Sequence, residues 1–169
     1  MGGKHILPMA DLASMFAKAG ALGIRTYIQS GNVVFEASPS DAPKIAWTVT
    51  ESIGKKFKFE PTIVLRSAAE MTDVVANNPF LADGSEPAAL YVGFLAKAPG
   101  KADIAKIDPA RSPKDRLVVR GREIFVHYPD GVANSKFTNA YIDSTLATTS
   151  TFRNWRTVMK LHEMIKSSA

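Results

Sequence analysis

RTYIQSGNVVF, residues 25–35, alternates apolar and polar side chains on both sides of a Ser-Gly-Asn centre. Alternation is the mark of a half-buried strand, and Gly and Asn accept the positive φ that a tight reversal needs. The stretch therefore predicts a β-hairpin with strands over 24–30 and 33–37. Ile24, Thr26 and Ile28 take one side of the first strand; Arg25, Tyr27 and Gln29 take the other. If that strand is central in a sheet, its polar side is covered, and Arg25, Tyr27 and Gln29 line a polar groove. The plainer alternative is a turn that only reverses the chain.

Outward from the hairpin, PMADLASMFAKAG (8–20) predicts a helix with Met9, Leu12, Met15 and Phe16 on one face. SPSDAPKIAWTVTESIGKKFKF (38–59) predicts a second, capped by Ser38 or Ser40. PTIVLRS (61–67) reads as a short strand, and Ser67 as the cap of a third helix that ends before Pro79. ALYVGFLA (89–96) is the most apolar strand, with a short helix around 101–107 after it. DRLVVRGREIFVHY (115–128) is a second hairpin that turns at Gly121. SKFTNAYIDSTL (135–146) and RNWRTVMKLHEMI (153–165) read as helices. The first half runs helix, hairpin, helix, strand, and one strand in front would complete βαββαβ. The expected fold is α+β: two tandem ferredoxin-like (βαββαβ-type) halves with antiparallel sheets. The first strand of the N-terminal half is missing, and the halves divide as 1–67 and 68–169.

The totals fit a globular protein. Of 169 residues, 46% are hydrophobic and 22% charged, enough for a sizeable core. The net charge of +5 is spread: residues 1–66 carry 8 basic and 5 acidic side chains (+3), and residues 67–169 carry 13 and 11 (+2). No basic tail marks an electrostatic nucleic-acid binder. The absence of cysteine excludes disulfides, thiolate nucleophiles and iron–sulfur ligation. No apolar run approaches the ~18 residues of a membrane span, and MGGKHILPM has no apolar signal core. A cytoplasmic setting away from membranes is expected.

GGK near the start, RTYIQSGNVVF, NNPF, VRGREIFVHYPDG, SKFTN and TFRNWRTVMKL occur together and in this order. In them the chain resembles domain of unknown function 1697, an uncharacterised, mainly bacterial family, over nearly its whole length. The resemblance implies an α+β fold with two ferredoxin-like halves. It also implies an opening strand just before GGK, whose place here is taken by Met1. That leads to the expectation of an open sheet edge beside residues 25–30, which either lowers the stability of the chain or recruits a partner strand to form a homodimer.

Several polar motifs admit both a chemical and a structural role. Lys4 follows two glycines before a helix and could hold a phosphate, yet the GxxxxGK[ST] spacing is absent. His127, Tyr128 and Asp130 bring an imidazole, a phenol and a carboxylate together, but alternation sends His127 and Tyr128 to opposite faces. Ser135 and Lys136 resemble a nucleophile and its base, but adjacent helical residues do not face each other, and an N-cap with a surface lysine explains them too. Arg153, Asn154, Trp155 and Arg156 at a helix start form the strongest set: guanidinium, ring face and free N–H groups suit a phosphate or a stacked base. The competing reading makes Trp155 a core anchor. His5, His127 and His162 lie too far apart in sequence to suggest a metal, and no cofactor motif is present.

Three function classes remain open. The first is binding of an anionic ligand, a phosphorylated small molecule or nucleic acid, through Lys4, Arg25, Tyr27, Gln29, Asn32, Lys136, Arg153, Asn154 and Trp155. The second is an enzyme for a small anionic substrate, with His127 or Lys136 in acid–base work. The third is a structural or oligomerising role. The composition of the motifs favours the first.

Overall fold

The structure is a computed structural model and describes residues 6–167. The described residues form two compact units. One takes the chain up to Leu65 and again from Glu163; the other runs from Arg66 to His162.

In the first unit, helix α1 (Met9–Lys18) begins after Pro8, whose fixed φ and missing N–H suit a helix entrance. Strands β1 (Leu22–Tyr27) and β2 (Asn32–Glu36) form the predicted antiparallel hairpin, a sheet of two strands. Helix α2 (Ala42–Phe57) follows and stops at Lys58, in the left-handed region at φ +62°. Ile45, Val49 and Ile53 repeat every fourth residue, so α2 carries one apolar stripe. That stripe packs with Leu12 and Phe16 of α1, and Ile24, Val33 and Phe35 of the hairpin close on the same core.

Two expectations fail here. The first strand does not reach Ser30: Ile28–Ser30 is a short 3-10 turn, with Ile28 exposed at φ +50° and Gly31 at +80°. The cause is Asn32. Its buried amide donates to the Tyr27 carbonyl and to Ser30 Oγ (2.7 Å), closing a loop wider than a two-residue turn. The run 61–67 joins no strand ladder; Pro61 has no N–H to give, and Ile63 packs on the core of the first unit instead.

The second unit opens with α3 (Ala68–Ala76). Ser67 Oγ accepts from the Glu70 N–H while the Glu70 carboxylate accepts from the Ser67 N–H, a reciprocal cap. Then come β3 (Leu90–Leu95), α4 (Lys101–Ile104), β4 (Arg116–Arg120), β5 (Glu123–His127), α5 (Asn139–Leu146), β6 (Ser150–Asn154) and α6 (Trp155–Lys166), of which the part up to His162 belongs to this unit. The four strands lie in the order β4-β5-β3-β6, all antiparallel. Strand β3 is central, and Leu90, Val92 and Leu95 are fully buried, which is why its sequence is apolar without alternation. One face, with Leu95, Ile124, Val126 and Phe152, packs on Ile142 and Leu146 of α5 and Ile104 of α4. The other face carries Val92, Phe94 and Phe125 and is buried as well.

Two further readings are corrected. Arg153 and Asn154 do not open the last helix: they end the strand Ser150–Asn154, which pairs with β3, and the helix begins at Trp155. Helix α5 begins at Asn139 with Thr138 as its cap; Ser135 and Lys136 precede it. The chain is thus α+β, with antiparallel sheets of two and four strands and six α-helices among the described residues.

Candidate functional site

In the first unit, Arg25, Tyr27 and Asn32 share one face of the hairpin, because Tyr27 pairs with Asn32 and Arg25 lies two residues back. Gln29 leaves that face with the 3-10 turn and donates weakly to the Leu7 carbonyl (3.4 Å). The face is already in use. The Arg25 guanidinium donates to Ser167 Oγ (3.0 Å) and to the Met164 carbonyl (2.5 Å), so it holds the C-terminal segment of its own unit. Asn32 is spent on the turn. The hairpin therefore reverses the chain and docks its own terminus. Lys4 lies outside the described residues.

In the second unit, the Arg153–Asn154–Trp155 set resolves into structural parts. Trp155 is 5% exposed and anchors the core. Asn154 Oδ1 accepts from the Thr157 N–H (2.9 Å) and caps α6, taking one of the helix-start donors. Arg153 lies on β6 opposite Val92 and donates to Thr151 Oγ1 and the Phe152 carbonyl; burial lowers its pKa from the usual guanidinium value.

Tyr128 is buried, with its phenol pKa pushed upward chiefly by burial, while His127 is half-buried on the opposite face, as alternation predicts. Arg116 Nη2 lies 3.3 Å from His127 Nδ1. A guanidinium can only donate, so in this contact Nδ1 is the acceptor. The same guanidinium binds Asp83 (2.6 Å) and Ser85 Oγ (2.8 Å) and lies over the Phe80 ring. Asp83 accepts from Ser85 and from Arg116, in that order of effect, and its pKa falls to about 2. His127 thus belongs to a network that ties the 79–86 loop to the sheet, with an arginine rather than a carboxylate as its orienting partner. Asp130 pairs with Lys114.

Like Arg156 on α6, Lys136 is exposed. Its backbone carbonyl accepts from Arg111 Nε (2.9 Å), and its N–H donates to Ser112 Oγ. Arg111, also exposed, lies 4.1 Å over the Tyr141 ring. The Tyr141 hydroxyl in turn accepts from the Asp108 N–H (3.0 Å). Arg111, Lys136 and Tyr141 thus form one group from three segments. Sequence reasoning missed Arg111 and Tyr141, because they lie 30 residues apart and neither belongs to a motif.

A second network was also missed. Arg66, with a side chain 5% exposed, donates to Glu123 (2.6 Å), to the Leu95 carbonyl and to the Arg122 carbonyl, and lies over the Phe94 ring. Arg122 pairs with Glu70. Burial pulls the Glu70 pKa up, but the Ser67 N–H and Arg122 together hold it below the usual value. This group fastens α3 to the sheet. Among the described residues no three His, Asp or Glu side chains stand where they could hold a metal, and no helix is long and apolar enough to cross a membrane.

Among the described residues, a two-stranded and a four-stranded antiparallel sheet with six α-helices define an α+β protein whose polar motifs are mostly built into its frame. The chain belongs to the family described as Protein of unknown function (DUF1697), which matches residues 1–125. It is similar in fold to the conserved bacterial protein SP0830 from Streptococcus pneumoniae, at 20% identity and a TM-score of 0.69, over 97% of this chain and 92% of that one. No curated protein matches it.

Proposed function

We propose that the chain binds a phosphate-bearing ligand, a phosphorylated small molecule or nucleic acid, on the second unit's surface at Arg111, Lys136 and Tyr141. The observation that carries this is the Arg111 side chain: its Nε is spent on the Lys136 carbonyl and its plane is stacked on Tyr141, while the guanidinium remains exposed beside exposed Lys136. A pre-positioned guanidinium loses little freedom on binding, and its planar fork fits a phosphate with two hydrogen bonds. Other charges nearby are engaged: Lys114 with Asp130, and the Asp108 carboxylate with the Ala110 N–H. Of the residues read as candidates, Lys136 stays in the set; Arg25, Asn32, Arg153, Asn154 and Trp155 have the structural roles described above.

The same reading includes the finer fold. The run β3-α4-β4-β5-α5-β6 and the order β4-β5-β3-β6 support a ferredoxin-like second unit. Helix α1, the hairpin and α2 support a shorter version of that pattern in the first.

The test is a titration of labelled single-stranded oligonucleotide, and separately of inorganic phosphate, at ~50 mM salt, where phosphate contacts are least screened. Binding that weakens steeply with salt is expected. In Arg111→Ala/Lys136→Ala the logarithmic salt slope for the oligonucleotide falls by about 1.4, two contacts at ~0.7 each for a single strand. Equal affinity and slope in the double variant would remove this surface from consideration.

A further inference from the structure

By whole-residue exposure, the buried polar residues among those described are Asn32, Asn78, Ser112 and Thr157. Asn32 closes the first hairpin, and Ser112 donates to Asp115 and accepts from the Lys136 N–H. Asn78 is different. It is 5% exposed, and its Nδ2 is the one buried side-chain polar atom among the described residues with no hydrogen-bond partner.

The orientation of that amide is fixed. Asn78 Oδ1 accepts from the Phe80 N–H at 3.0 Å. Turning the amide over would set its NH2 against that N–H, two donors face to face, so Nδ2 stays a donor in search of an acceptor. The surrounding turn is taut. The Asn77 N–H donates to the Asp73 carbonyl, Leu81 N to the Asn78 carbonyl, and Ser85 N to the Phe80 carbonyl. Arg120 holds the Asn77 carbonyl at 2.8 Å. In the NNPF run, Asn77 ends α3, Pro79 blocks its continuation, and Phe80 is buried with its ring 6.1 Å from that of His127. Among the described residues Asn78 alone has a buried side-chain group that the fold leaves without a hydrogen bond, and buried polar groups as a rule have a partner.

We infer that Asn78 Nδ2 is the anchor of a buried site for one acceptor oxygen that does not belong to this chain. Its chemistry is set by the Asn78 amide, a donor, so the occupant must offer an acceptor oxygen. Two sources supply such an oxygen, an ordered water and the carbonyl or carboxylate group of a small ligand. Interior waters serve polar groups of this kind.

The experiment uses the full chain, 15N-labelled, folded and untreated. Magnetisation transfer from water or ligand protons to the Asn78 side-chain amide is measured, alongside the native mass. A cross-peak from a long-lived water with an unshifted native mass is expected for the first source. A cross-peak from non-exchanging protons with a matching mass increment is expected for the second. In either case a crystal structure should place an oxygen within ~3.2 Å of Nδ2. Neither cross-peak, or a crystal structure in which Nδ2 donates to a carbonyl of this chain, would overturn the inference. Asn78→Asp provides a second reading: it keeps the acceptor for Phe80 N and loses the donor, so a crystal structure of the variant should lack the oxygen beside position 78 while the Phe80 amide stays protected from exchange. A protected Phe80 amide with that oxygen still in place would also overturn it.

Discussion

At the scale of the residue, side chains that look functional in the sequence are often those the fold consumes. Trp155 between two arginines reads equally well as a stacking platform or a core anchor, and its 5% exposure decides for the anchor. Arg66 carries no signal at all, because its partners Leu95, Arg122 and Glu123 lie 29, 56 and 57 residues away. Its loss should nevertheless be costly. Arg66→Met leaves the Glu123 carboxylate, with 17% of its side chain exposed, without its buried counter-charge. Unfolding free energy by urea titration should fall by about 3–5 kcal/mol, and the double variant Arg66→Met/Glu123→Leu should recover part of that, since removing one partner of a buried pair costs more than removing both. A double variant worse than the single one would show that the pair is not the unit that matters. Asp83 allows a pH test. Its folded pKa, held at about 2 by Ser85 and Arg116, lies below its ordinary 3.8. A depressed carboxylate contributes stability that is present above the ordinary value and lost as pH falls through the folded one. The urea midpoint difference between the parent chain and Asp83→Asn should therefore be full above pH 4 and close between about 4 and 2. A difference that persists at pH 2 contradicts the assignment. The group is solvent-exposed, so added salt should shrink the difference at every pH.

Elements were legible where local rules and tertiary packing agree. Ser67 and Glu70 announce the cap of α3, Gly121 at φ +57° turns the second hairpin, and the apolar run of β3 belongs to a strand buried on both faces. Strand β6 escaped notice because STFRN has no clean alternation and its last residue doubles as the cap of α6. The 3-10 turn at Ile28–Ser30 escaped because β-branched residues avoid positive φ; only the bonds of buried Asn32 impose it. Gly93 has a reason that the sequence could not supply. In β3 it faces Ile124 on one neighbouring strand and Phe152 on the other, and a Cβ there would meet Ile124 Cγ2 at 2.4 Å and Phe152 Cζ at 2.6 Å. Both neighbours belong to the packed core between the sheet and α5, so neither can swing clear. Gly93→Ala should destabilise by about 1–3 kcal/mol as an overpacked core, despite the general benefit of replacing a strand glycine. Equal or greater stability in thermal melts would mean that the sheet has slack the packing does not show.

At the scale of the molecule, the chain closes on itself. The first unit is built from the N-terminal elements and the residues from Glu163 onward, and Arg25 is a fastening between them. The sequence placed Arg25 on the polar face of β1, which holds, but its partners are 139 and 142 residues away, beyond any local pattern. The geometry is specific to a guanidinium. One nitrogen donates to the Met164 carbonyl, the other to Ser167 Oγ, and Ser167 Oγ itself donates to the Met164 carbonyl. A lysine can reach one of these oxygens but has no planar fork to match both. Charge-assisted bonds of this kind contribute roughly 1.5–3 kcal/mol, and here they act on a hairpin of two strands, which has little stability apart from the helices it packs on. Arg25→Ala should therefore speed amide exchange in β1 and β2 by about 10- to 100-fold, the equivalent of that energy. Arg25→Lys should give nearly the same result, and amides of β3 and β5 should keep their protection. Hydrogen exchange followed by mass spectrometry reads the two units separately in one experiment. If Arg25→Lys restores the parent protection, one ammonium suffices and the forked contact is incidental; if β3 and β5 lose protection as much as the hairpin does, the fastening belongs to the whole chain and not to the first unit.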